Sequence, residues 1–476
     1  MERGFMPRKR ARAVVLGALL LACAGPALAD AEKLEADLRA LFADQPGELT
    51  IGDISESMLG GETRAEDLEY VSDRGGRVHV DRYVVEGDYD DPDRVVLEGL
   101  SVTEEKEDGQ AGTITARRLV VVEPSRPVLS PRGVLADGLE AAELTAEGLV
   151  IERSGRTVLG TAGERARSVT NPRLTVERLH ARDLAPDTIG SLEATDIAGS
   201  GESFGEIGDG KFTLGVLNIE GLHDLKSQAE ARADRMELKN LNIEAQRLAA
   251  TLDRLLVESD MSDGAGGLWL ESLDLDLARM IELAPAEKRT RLRMMSNVLT
   301  GGSGQLSLDA AFDGQWEALD DTRAMLLGKS RVTADDAFRW TFDSETPARL
   351  PEGADPASYF AEVDGLDDVT LLGGEVETTL TDLGLFGRLP AVIATSQSMS
   401  EDEFMAQART QAKGLGSLFG PEFATLLGGL VDMMEGKASE LVVHFTLPEG
   451  DEQELDALAD DPLVLPSKLS MQVHTR

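Results

Sequence analysis

Gly201-Glu202-Ser203-Phe204-Gly205 fits the G-x-S-x-G pattern, in which a serine hydroxyl lifted on a strand-to-helix turn attacks an acyl carbon. The pattern needs a helix after the serine. Here Glu206-Ile207-Gly208-Asp209-Gly210 follows and leads into an amphipathic strand pattern, so a serine hydrolase using Ser203 stands only as a minor alternative. Leu327-Gly328-Lys329-Ser330 resembles the end of a phosphate-binding loop, but position 323 is Arg where the first glycine is required. The five histidines, His79, His180, His223, His444 and His474, are dispersed, with no second His or Cys at metal-ligand spacing. His180 falls at a polar position of a strand pattern and reads as a solvated side chain. Asp88-Tyr89-Asp90-Asp91-Pro92-Asp93 gathers carboxylates as a calcium loop does, without the Gly and terminal Glu of an EF-hand. Carboxylate pairs for glycoside hydrolysis abound, but 4% aromatic residues leave little to stack on a sugar. The expectation is a chain that is not an enzyme, with no catalytic residue, no metal and no cofactor.

The composition narrows the partners. The 476 residues carry 87 Asp+Glu against 47 Lys+Arg, a net charge of -40, so the clustered cations that neutralise nucleic-acid phosphates are missing. An apolar content of 42% is enough to bury a core without metal or disulfide staples. Paired acids such as Asp320-Asp321, Asp335-Asp336, Asp367-Asp368 and Asp460-Asp461 are scattered along the chain and read as solvated surface.

The N-terminus has the form of a secretory signal. Arg8, Lys9, Arg10 and Arg12 precede the apolar stretch Ala13 to Gly25, which is too short to span a bilayer, and Ala27-Leu28-Ala29 supplies a small-x-small cleavage site. Cleavage after Ala29 leaves 42 basic and 86 acidic residues, a mature net charge of -44 and no cysteine. The expected location is the periplasm, with no transmembrane span in the mature chain. In the alternative, Leu20-Leu21-Ala22-Cys23 acts as a lipoprotein box and Cys23 is the anchor.

The elements behind these residues follow a repeated unit, eight residues long, apolar at positions 1, 3, 6 and 8. It occurs at Val95-Leu97-Leu100-Val102, Ile114-Ala116-Leu119-Val121, Leu144-Ala146-Leu149-Ile151, Leu174-Val176-Leu179-Ala181, Phe212-Leu214-Leu217-Ile219, Met236-Leu238-Leu241-Ile243 and Leu268-Leu270-Leu273-Leu275. A step of two keeps side chains on one face of a strand, whereas the central step of three sends the second pair to the other face unless a bend or bulge intervenes. The residues at the step are nearly all polar or Gly, which suits a bulge. Position 2 is Thr in four units, favouring strand over helix. The fold class expected is mainly β with helical insertions, an elongated and mostly antiparallel repetitive sheet, groove-like or sandwiched, with a C-terminal helical hairpin.

Helical spacing occurs at Ala31 to Phe42, Pro285 to Leu299, the segment opened by the capping box Ser400-Glu401-Asp402-Glu403 and ending near Lys413, and Pro421 to Glu435. The last two form a hairpin between strands at Val376 to Leu383 and Leu441 to Leu447. The organisation expected is a signal peptide at 1–29, an N-terminal helix and lead-in strands at 30–94, the repetitive sheet at 95–312, further strands at 313–387, the helical hairpin at 388–436 and terminal strands at 437–476.

The export signal and the apolar-x-apolar-x-x-apolar-x-apolar units, such as Val95-Val96-Leu97-Glu98-Gly99-Leu100-Ser101-Val102, resemble AsmA-like periplasmic repeat proteins over roughly Val95 to Phe312. The resemblance implies a long sheet curled into an apolar groove, with a role in lipid handling or envelope assembly. The cleavable signal departs from that family's retained membrane anchor. The groove-lining set is Leu97, Leu100, Val102, Leu119, Leu149, Leu174, Val176, Leu179, Phe212, Leu214, Leu217, Ile219, Leu238, Leu241, Ile243, Leu270 and Leu273. Two roles compete: a binder or carrier of a lipid-like hydrophobic ligand, and a dry β-scaffold or adaptor in which the same residues fill an interior while the surface binds an envelope protein.

Overall fold

The computed structural model describes residues 27–57, 61–105, 111–125, 128–130, 135–136, 138–159, 167–227, 231–261, 263–320, 322–351, 369–448, 450, 453–454 and 470–476. The basic n-region, Cys23, Asp321, Asp367-Asp368 and Asp460-Asp461 lie outside them. In chain order the strands begin β1 Gly47–Thr50, β2 Asp53–Glu56, β3 Glu62–Ser72, β4 Arg77–Asp88, β5 Asp91–Glu105, β6 Ala111–Val122, β7 Ala141–Arg153 and β8 Arg156–Leu159. They continue β9 Arg167–Leu184, β10 Ile189–Glu202, β11 Gly210–His223, β12 Arg232–Ala245, β13 Leu248–Glu258, β14 Ala265–Asp276, β15 Gln305–Ala318 and β16 Arg323–Ala334. The last are β17 Phe338–Arg349, β18 Thr370–Leu371, β19 Gly374–Asp382, β20 Glu440–Leu447, β21 Gln453–Glu454 and β22 Ser470–Thr475. The helices are α1 Ala27–Ala43, α2 Leu277–Ile281, α3 Ala286–Leu299, α4 Leu385–Ser396, α5 Glu401–Phe419 and α6 Pro421–Met434. The fold is mostly antiparallel β, with helices toward the C-terminus, as the strand units imply.

All seven units lie inside strands, in β5, β6, β7, β9, β11, β12 and β14. In four of the seven units the step of three carries one residue of left-handed backbone at position 5: Gly99 at φ 65°, Gly148 at 61°, Asn240 at 57° and Ser272 at 53°. That residue turns the chain once, so positions 3 and 6 project to the same side. The neighbouring strand yields at the matching place, and in most of these pairs the register is the same on both sides of the gap: Leu214 faces Leu241 and Leu217 faces Leu238. Gly, Asn and Ser occupy these sites because a residue with φ near +60° pays least when its side chain is absent or short and polar. At Gly99 a Cβ would also stand 2.9 Å from the Cβ of Asp81 on β4. Gly99→Ala is therefore expected to lower stability by roughly 1–3 kcal/mol, read as a lower urea midpoint at unchanged slope.

The chain divides into two compact units, residues 1–155, 173–194 and 224–228, and residues 156–172, 195–223 and 229–476. In the first, β1 and β2 both pair with β3, and β3 to β7 pair in succession before β7 joins residues 173–184 of β9. Leu34, Leu38 and Phe42 of α1 are buried with Leu68, Val80, Leu97, Leu100, Leu119, Val121 and Leu144 in one core. The Phe42 ring lies 4.6 Å from that of Tyr70. These side chains pack on one another, with a cleft of about 220 Å³ left between α1 and Tyr83, Val85 and Val95.

In the second unit β11 to β17 pair in succession, β17 joins β18 and β19, and β19, β20 and β22 follow, all antiparallel. Three helices, rather than the expected two, separate β19 from β20. The additional one, α4, contains Pro390, an ordinary sign of a helix break, and begins where the Asp382 carboxylate accepts from the Gly384 and Phe386 amides. The next helix, α5, opens on the expected capping box but runs on through Gly414 and Gly416 to Phe419. Gly416 serves contact, not termination: a Cβ there would lie 2.3 Å from the Cβ of Ala424 on α6. Met433, Leu441, Val443 and Val473 bury these helices against the sheet. No helix among the described residues is long and apolar enough to cross a membrane.

Arg409 of α5 pairs with Glu435 at the end of α6 and also approaches Asp432, at 3.5 Å. Hydrogen bonds from Arg409 and then Lys437 pull the Glu435 carboxyl down from 4.5 to about 2. A depressed carboxyl stabilises the folded state above its unfolded value and loses that effect as pH falls through its folded one. Glu435→Gln is thus expected to flatten the stability profile between pH 4.5 and pH 2, measured by thermal melts across that range.

Candidate functional site

The groove-lining residues divide between the two units. Leu97 and Leu100 are buried to 1% exposure or less, and Val102, Leu119 and Val176 are also buried, while Leu149, Leu179 and Leu174 are half-buried. All but Val176 and Leu174 belong to or pack against the core beneath α1. Among the described residues these side chains are packed in the core and do not border an open groove in this unit. The physical reason is α1: its Leu34, Leu38 and Phe42 complete the apolar face that the strands leave open.

The remaining nine lie on the second unit, where register assembles them into lateral rows. Phe212, Ile243, Ala250, Leu275 and Leu306 stand opposite one another across β11 to β15. Leu214, Leu241, Leu252, Leu273 and Leu308 form the second row, and Leu217, Leu238, Leu255, Leu270 and Ala310 the third. Ile219, Met236, Val257, Leu268 and Phe312 form the fourth. The left-handed residues at 240 and 272 lie between the second and third rows and keep all four on one face. With strands about 4.8 Å apart and about 3.3 Å per residue, the face measures roughly 19 by 23 Å.

This face is apolar but not buried. Only Leu214 and Leu252 fall below a tenth exposure, most of the others are half-buried, and Leu268 and Phe312 are 37% and 40% exposed. None of these side chains belongs to a buried core among the described residues. Patches of several hundred Å² mark binding surfaces more often than idle ones. The contribution of β13 escaped the sequence reading although Ala250, Leu252, Leu255 and Val257 carry the same spacing; its neighbours Leu248, Ala249 and Leu256 hide the alternation.

The reverse face is polar. Glu237 of β12, only 6% exposed, receives Arg254 Nε at 2.7 Å and Lys239 Nζ at 3.0 Å. Arg254 also reaches Glu271 at 3.1 Å. Burial alone would push the Glu237 carboxyl up; the hydrogen bonds from Lys239, Arg254 and Asn218 outweigh it and hold the group below the ordinary range. The arrangement ties three strands together and offers no nucleophile or base.

The other sequence candidates resolve as structure. Ser203, at φ 54°, is followed by a three-residue 3-10 turn and then β11, so the strand-to-helix elbow is absent; its amide donates to Asp209. Gly328-Lys329-Ser330 lies extended within β16. Asp88 to Asp91 form the β4–β5 hairpin, where Tyr89 donates to Asp37 of α1 and Lys33 pairs with Asp90. His180 is half-buried against Thr145 Oγ1 and accepts from Arg182. Among the described residues no three His, Cys, Asp or Glu side chains converge as metal ligands. Comparison of the chain with protein-family models, with curated proteins and with solved structures found no match, so the functional reading rests on this geometry.

Proposed function

We propose that the chain is an exported, non-catalytic β-repeat protein of the cell envelope that binds or carries a lipid-like hydrophobic ligand on the leucine face of β11 to β15. The observation that supports this reading is four rows of five apolar side chains left half-exposed with no core of their own. An acyl chain gains about 0.8 kcal/mol per buried methylene, so fourteen carbons offer on the order of 10 kcal/mol before ordering costs. No polar anchor is needed for that gain. The resemblance to AsmA-like proteins points the same way, and the export signal before Asp30 is consistent with delivery to the periplasm.

Organic-solvent extraction of the purified chain is expected to release about one lipid per molecule. The double substitution Leu238→Asp with Leu255→Asp, at half-buried positions facing each other across β12 and β13, should empty the face while far-ultraviolet circular dichroism stays unchanged. A lipid-free extract together with no uptake of a fluorescent phospholipid from vesicles would overturn the proposal.

A protein-contact role has its own supporting observation. On the polar face Asp343, Glu345, Glu375 and Glu377 stand on facing positions of β17 and β19. An adaptor reading expects salt-sensitive capture of a basic envelope protein, lost when Glu375 and Glu377 are changed to Gln; unchanged capture would remove it.

A further inference from the structure

The helices of the second unit line a half-open cavity of about 630 Å³ between α2, α3 and α4. It is lined by Met280, Leu292, Met295, Leu389, Val392 and neighbouring aliphatic side chains. The volume lies within the range of about 300–1,000 Å³ typical of small-molecule sites. Met280, Met294 and Met295 give it an adaptable wall, and Met295 is 55% exposed at its rim.

Among the described residues one charged side chain lines this cavity, that of Arg291, in a protein of net charge -40. The two neighbouring arginines of α3 are committed elsewhere: Arg289 and Arg293 each take one oxygen of Glu282, at 2.9 and 2.7 Å. Arg291 forms no ion pair among the described residues, and no carboxylate lines the cavity. An unpaired guanidinium beside an apolar cavity complements an anionic head on an apolar tail. The remaining polar lining, Ser296 and Ser396, is neutral.

The size argues against a protein segment as occupant. A two-turn helix about 10 Å across and roughly 11 Å long fills on the order of 900 Å³, more than the cavity holds. We propose that this cavity is a second binding site, taking one long-chain fatty acid with its carboxylate on Arg291 and its chain between α3 and α4. The site is independent of the leucine face of β11 to β15.

The test is titration calorimetry of the full chain carrying Leu238→Asp and Leu255→Asp, which removes the leucine face as an acyl-chain binder, with tetradecanoate and with tetradecanol, which share a tail and differ in charge. Tetradecanoate is expected to bind at one site. Arg291→Gln should weaken tetradecanoate about ten-fold, the scale of one charge-assisted hydrogen bond, and leave tetradecanol unchanged; Arg291→Lys should restore much of the loss. Val392→Trp should fill the cavity and abolish binding of both ligands. Equal effects of Arg291→Gln on acid and alcohol, or undiminished binding by a folded Val392→Trp, would overturn the proposal. Should Val392→Trp fail to fold, the Arg291 pair decides alone, since that side chain is exposed. The Leu238→Asp, Leu255→Asp protein is expected to keep tetradecanoate binding, so failure of the leucine face and failure of this cavity are read separately.

Discussion

Truncating Leu97 to alanine is expected to lower stability by about 3 kcal/mol, whereas the same truncation at Leu238 costs only about 1 kcal/mol. Both leucines sit at inward positions of the same eight-residue unit, on β5 and β12. Leu97 is fully enclosed, facing Tyr83 and Leu119 across its two neighbouring strands in the core beneath α1. Its removal leaves a cavity that α1 and the sheet cannot collapse to fill, so lost transfer energy and lost packing add. Leu238 is half-buried on the open face, where water occupies the space left by the missing carbons. Urea unfolding of the two variants side by side measures the difference. Equal losses would mean that the β11 to β15 face is covered in solution, and the ligand reading would fall with it.

Arg254→Leu is the second large effect, expected to cost about 2 kcal/mol at neutral pH. The guanidinium joins Glu237 to Glu271 from the strand between them, and Glu237 is almost wholly buried. Without Arg254 the Glu237 carboxylate keeps Lys239 and Asn218 but loses its shortest partner. Glu237→Gln in the Arg254→Leu background should recover part of the loss, because the charge left behind, rather than the missing contact, supplies most of the penalty. The pH dependence has a definite sign. With the folded Glu237 carboxyl below its ordinary 4.5, its contribution is complete above that value and disappears as pH falls through the lower folded value. The wild-type protein should therefore lose more stability on acidification below 4.5 than Arg254→Leu does; parallel profiles would show that the pair contributes nothing.

The spacing of Leu214, Leu217, Leu238 and Leu241 was enough to place them on strands with one apolar side, because period two and β-branched neighbours act locally. The polar or Gly character of the step was enough to expect a bulge, since only a few residue types accept left-handed backbone. Local patterns misled where long-range contact decides. Pro390 concealed α4, which Asp382 caps from outside the helix, and Gly414 suggested an end to a helix that runs on to Phe419, its Gly416 letting α6 approach. The cavity of Arg291 left no trace in the sequence, because its lining comes from three helices more than a hundred residues apart at the extremes.

Seven nearly equivalent units thus determined by themselves that the middle of the chain is a set of bent strands with aligned apolar sides, a consequence of backbone geometry within eight residues. What covers those sides was settled only in three dimensions. In one unit α1 lies on them and makes an interior; on β11 to β15 no described core incorporates them, and the same leucine spacing becomes a surface. Burial depends on which element arrives from elsewhere in the chain, and no pattern internal to a strand records that arrival.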